Sequence, residues 1–67
     1  MNKQRIDELM KLYRRALNMG EDKGWFEQTM FAMDGYRKLY NELPNADITK
    51  EQKAEYKAKI ETIKGVF

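Results

Sequence analysis

Apolar residues recur in the first stretch of the chain at Ile6, Leu9, Met10, Tyr13, Ala16 and Leu17. Steps of three and four put them on one face of a helix. The spacing predicts a helix over residues 3 to 19, with Lys3, Asp7, Lys11, Arg14, Arg15 and Asn18 on the opposite side. Gly20 follows the last apolar position, where a C-terminal cap needs a left-handed backbone that glycine adopts without steric cost. "GEDKG" then reads as a short polar connector, with Asp22 as the expected N-cap of the next helix.

That second helix is predicted over residues 24 to 43, "WFEQTMFAMDGYRKLYNEL" included. Trp25, Thr29, Ala32, Met33, Tyr36, Tyr40 and Leu43 line one face, flanked by Phe26 and Met30. Pro44 ends it, because the residue before a proline is pushed out of the α region. Thr49 and Gln52 form a capping box, which starts a third helix over residues 50 to 64. Its apolar stripe is narrow: Tyr56, Ile60, Ile63 and Phe67. Ala54 and Ala58 lie behind the stripe and serve helix propensity, and Glu55 and Lys59 form an i, i+4 pair on the solvent side. There is no strand alternation, internal repeat or low-complexity tract.

The fold class expected is therefore all-α: a small three-helix up-down-up bundle, a helical hairpin plus a C-terminal helix, in a single domain over residues 1–67. A dimer built from two hairpins is the structural alternative. "GEDKGWF" reads as the corner between the first two helices, packed shut by Trp25. A tryptophan buried there would cost about 3–5 kcal/mol on truncation to alanine.

Composition narrows the chemistry. A chain of 67 residues buries only about 60% of its unfolded surface, so packing or association must supply the rest. It has no cysteine and no histidine. That removes disulfides, thiolate chemistry and the commonest general base, and leaves no thiolate or imidazole ligand for a zinc or copper site. No cofactor is expected. With 13 basic and 11 acidic residues interleaved, the net charge of +2 demands neither nucleic acid nor membrane. No apolar run is long enough to span a bilayer, and "MNKQRIDELMKLYRR" lacks the continuous apolar core of a signal peptide, so a cytoplasmic location is expected.

Glu21, Asp22, Asp34 and Glu42 are the obvious carboxylates, but their spacing converges on no pocket and no catalytic motif is present; the protein is expected not to be an enzyme. A DNA-reading helix-turn-helix places an alanine four residues before its turn glycine, and Ala16 and Gly20 match that spacing. Arg15 and Glu21 then occupy positions that should be apolar, and the recognition helix would be apolar and acidic where base edges call for Arg, Lys, Asn or Gln. The basic cluster of Lys11, Arg14 and Arg15 keeps a DNA-binding regulator as the alternative function.

Phe31 is the position that does not fit the second helix's face. It lies roughly opposite Trp25, Tyr36 and Tyr40, with Gly35 one turn on and Lys38 and Leu39 at its border. A mid-helix glycine is disfavoured by up to ~1 kcal/mol relative to alanine, which points to close approach by a neighbour. Phe31, Gly35, Leu39 and Lys38 are the expected partner-binding residues, unless the third helix covers Phe31. Five methionines suit an adaptable contact surface and a small core equally well.

"LYRRALNMGEDKGWFEQTM" resembles small uncharacterised helical proteins of Bacillus-like Firmicutes and their phages, and is similar in outline to helical hairpins that inhibit sporulation kinases by docking on a partner's helices. The resemblance covers about a third of the chain, includes no invariant chemical motif and transfers no functional residue. It implies a cytoplasmic helical protein of phage or prophage origin. The expected function is a small non-catalytic protein-interaction or regulatory module, contacting itself as a homodimer or a partner protein through its helices.

Overall fold

The computed structural model describes residues 1–63, 65 and 66. Helix α1 spans Lys3–Lys23, α2 spans Phe26–Glu42 and α3 spans Lys50–Glu61, with a short 3-10 turn at Leu43–Asn45. The fold is the small all-α three-helix bundle that the apolar spacing predicts. Asn2 opens α1, its side-chain oxygen accepting from the Arg5 amide at 2.9 Å. Both arms of the expected capping box open α3: the Gln52 amide donates to the Thr49 hydroxyl and the Thr49 amide to the Gln52 side chain, each at 3.1 Å. Glu55 and Lys59 pair at 3.3 Å as expected, and Ala54 and Ala58 are exposed. Lys64 and Phe67, placed by the sequence in the third helix and its stripe, lie outside the described residues.

The first corner differs from its sequence reading. Gly20 does not cap α1; the helix continues to Lys23, and Gly24 is the left-handed cap, at φ 69° and ψ 23°. Gly20 is instead a crossing point: an added Cβ would overlap the Thr29 hydroxyl and come within 2.8 Å of the Thr29 amide nitrogen. Asp22 accordingly lies inside α1, and Trp25 takes the N-cap position of α2 with no side-chain cap bond. The Trp25 backbone makes the turn, its N–H donating to the Gly20 carbonyl at 3.0 Å and its carbonyl accepting from the Thr29 N–H at 3.2 Å. Its indole does not pack the corner shut, because it remains 52% exposed.

The second glycine contact holds the middle of the hairpin together. At Gly35 an added Cβ would overlap the Tyr13 ring. That ring stands edge-on to Phe31 at 5.7 Å and to Tyr36 at 5.5 Å, so aromatic neighbours hold it in place. The close neighbour that Gly35 implies is thus α1 of the same chain. Gly35 and Leu39 are buried within the fold and are not available to a partner, contrary to the sequence expectation. The reason is the breadth of the buried arc of α2, which takes in Ala32, Gly35, Tyr36 and Leu39 and is centred between the face read from the pattern and Phe31.

Helix α3 returns along one side of this hairpin. Its middle turn meets the first half of α1 through a Tyr56 hydroxyl donating to Asp7. Further on, Tyr40 donates to Glu61 at 2.8 Å, and Arg37 donates to the Val66 carbonyl at 3.4 Å. The core sits at this end, with Ile6, Tyr36, Leu39, Leu43, Tyr56, Ile60 and Val66 buried together. The Cα extents of 37 × 21 × 14 Å describe a slab, and the described residues form no covering layer over Leu12, Met19 and Phe31 on the opposite side of the hairpin. No described helix is long and apolar enough to cross a membrane.

Two substitutions separate these roles. Gly35→Ala gains helix propensity but must displace a ring wedged between two aromatics, so a net loss of about 1–3 kcal/mol is expected in urea unfolding. Trp25→Ala removes a half-exposed side chain and should cost less than about 2 kcal/mol, below the figure for a buried tryptophan. A neutral Gly35→Ala, or a Trp25→Ala loss above that bound, would contradict this packing.

Candidate interaction surfaces

On the side of the hairpin away from α3, three large apolar side chains remain in solvent. Phe31 is 48% exposed, Leu12 47% and Met19 37%. Leu12 and Met19 are seven residues apart and share one strip of α1, across the helix from Asp7 and Arg14, with Lys11 on the flank between. Phe31 lies on the corresponding strip of α2, across that helix from Met33, Arg37 and Tyr40, which meet α3 and the chain after it. Tyr13 lies between the two strips and backs Phe31. Helix α3 therefore does not cover Phe31. Of the four residues expected to bind a partner, Phe31 and Lys38 are at the surface, and Gly35 and Leu39 lie beneath it. Sequence reasoning missed Leu12. Its signal was available, a large apolar residue standing off the buried stripe of α1.

A second surface is the groove between α1 and the far end of α3. Met10, Leu17 and Ile63 give it an apolar floor, and Lys11, Arg14 and Lys59 line it with positive charge. Lys59 pairs with Glu55 and lies over the Tyr56 ring at 5.6 Å, whereas Lys11 and Arg14 make no ion pair among the described residues. Of the basic cluster read from the sequence, the groove brings Lys11 and Arg14 together, and Arg15 is not among its lining residues. Lysines of α3 are partly engaged elsewhere: Lys53 donates to the Pro44 carbonyl at 3.0 Å, and Lys57 sits over the Tyr40 ring at 5.5 Å. Gly20 lies within a helix, so the Ala16–Gly20 spacing shared with DNA-reading motifs does not fall at a turn.

Asp7 stands at one end of this groove and joins it to the fold. It accepts from the Tyr56 hydroxyl and from the Lys3 ammonium at 2.9 Å. Those two bonds, Tyr56 first, hold the Asp7 carboxyl below its ordinary value. Burial, and then the bond to Asp7, push the Tyr56 hydroxyl up. Tyr36 is also pushed up by burial, against the opposing charge of Arg14. The sequence placed Asp7 on a solvated face, and its partner 49 residues away carried no local signal.

No protein-family model, no curated protein and no solved structure matches the chain. The surfaces must therefore be read from their own chemistry.

The Asp7–Tyr56 bond sets a pH dependence with a definite sign. A carboxyl with a depressed folded pKa contributes stability above the ordinary carboxylate range, lost as pH falls through the folded value. A tyrosine with a raised pKa contributes stability below its ordinary value, lost as pH rises through the folded one. Unfolding curves across pH should show both limbs, and Asp7→Asn should flatten the acid limb below about pH 4. An acid limb unchanged in Asp7→Asn would contradict the assignment.

Proposed function

We propose that this protein is a small non-catalytic interaction module that acts by helix-mediated self-association. The observation that carries this reading is the exposed row of Leu12, Met19 and Phe31 on the side of the hairpin that α3 leaves open. Apolar side chains gathered on one face of a small fold mark a contact surface more often than scattered ones do.

The charges around that row favour a second copy as the occupant. On the same strip of α1, exposed Arg5 and Lys23 stand at the two ends, Arg5 beside Glu8 at 3.6 Å; on the strip of α2, exposed Glu27 and Glu42 stand at the ends with Lys38 between them. A two-fold axis parallel to the helices lays α1 of one copy antiparallel along α2 of the other. Arg5 then faces Glu42, and Lys23 faces Glu27. The Tyr13–Gly35 and Gly20–Thr29 contacts fix the level of the two helices, and in that register Phe31 falls near the level of Met19 in the other copy. Such a surface is self-complementary, as a two-fold interface requires. The apolar row supplies affinity and the flanking charges select the register.

Light scattering over a wide concentration range, at low and high salt, tests this reading. A dimer that persists at high salt is expected, because apolar contact is not screened. Phe31→Lys should give a monomer with unchanged helicity. A monomer at every concentration for the parent protein, or unfolding of Phe31→Lys, would sink the reading.

A further inference from the structure

The groove between α1 and α3 is a second surface, chemically unlike the first and independent of it. Met10 and Leu17, two helical turns apart, face the space beside Ile63. All three are partly buried against the core, so the floor is held in place by the fold. Two turns of α1 extend about 10 Å, enough for an apolar stripe repeating at helical spacing to be matched along it. Lys11, Arg14 and Lys59 line the same groove. Its one carboxylate, Asp7, is committed to Lys3 and Tyr56.

We infer that this groove is a docking site for an amphipathic helix with an acidic polar face, supplied by another protein. Apolar residues of the incoming helix lie on Met10, Leu17 and Ile63. Its Glu or Asp side chains reach Lys11 and Arg14, which have no ion-pair partner among the described residues. Helix in groove is a recurrent mode of peptide recognition, with apolar anchors at helical spacing. The positive lining chooses between acidic and basic helices, because like charges across a contact are costly. The apolar floor argues against a nucleic-acid backbone as occupant: a phosphate chain needs donors along its whole track, and the floor offers none.

Display selection with short amphipathic helices, having identical apolar stripes but either acidic or basic polar faces, tests the inference. Acidic helices should be enriched. Their amide-shift footprint on the labelled protein should cover Met10, Leu17 and Ile63. The double variant Lys11→Glu, Arg14→Glu should bind them roughly tenfold or more weakly, with unchanged helicity and solution mass. Equal enrichment of both charge types, no enrichment, or a footprint on Leu12 and Phe31 would overturn it. So would a DNA or RNA duplex binding the groove with a steep salt dependence while the peptides do not. The footprint separates this test from that of self-association, which uses the other side of the hairpin.

Discussion

The architecture rests on the seating of Tyr13 against Gly35. Removing a Cβ from the middle of α2 lets α1 approach closely enough for a tyrosine ring to fill the seam. That ring meets Phe31 on one flank and Tyr36 on the other, and so connects an exposed aromatic to the buried core. A similar approach recurs near the corner, where Gly20 admits Thr29. Two glycines on two helices thus set both the spacing and the register of the hairpin. Each is disfavoured by helix propensity and justified by the packing it allows.

Everything else is arranged around that hairpin. The third helix adds Tyr56 and Ile60 to the core at one end and is tied to α1 by the Tyr56–Asp7 bond. It closes one side only. The opposite side keeps Leu12, Met19 and Phe31 in solvent, and the gap between α1 and the end of α3 becomes a groove with cationic lining. In a fold this small, a helix short of complete coverage produces contact surfaces directly, since no further layer among the described residues covers them.

Helix number and order, the starts of α1 and α3 and the end of α2 were legible because amphipathic spacing and caps are local signals, whereas α1 runs four residues further, α2 starts two residues later and α3 ends three residues earlier than the spacing predicts. The Thr49–Gln52 box and the end of α2 before Pro44 follow from residues within a few positions of each other. The glycines were harder. Gly20 and Gly35 both signalled something unusual, but a helix-terminating glycine and a helix-contacting glycine look alike in one dimension. Only the partner across the seam distinguishes them, Thr29 in one case and Tyr13 in the other. Trp25 was misread for a related reason: its backbone turns the corner, so its side chain is free to stay in solvent. Of the interaction residues, Phe31 and Lys38 were placed correctly at the surface, whereas Gly35 and Leu39 were drawn inside by the width of the buried arc of α2.

Native-state hydrogen exchange tests the central claim, that the Tyr13–Gly35 seam organises the fold. The slowest amides should lie in α1 and α2 on either side of that contact, with those of α3 exchanging through a smaller opening that leaves the hairpin intact. Slowest exchange in α3, or uniform protection across all three helices, would contradict the account.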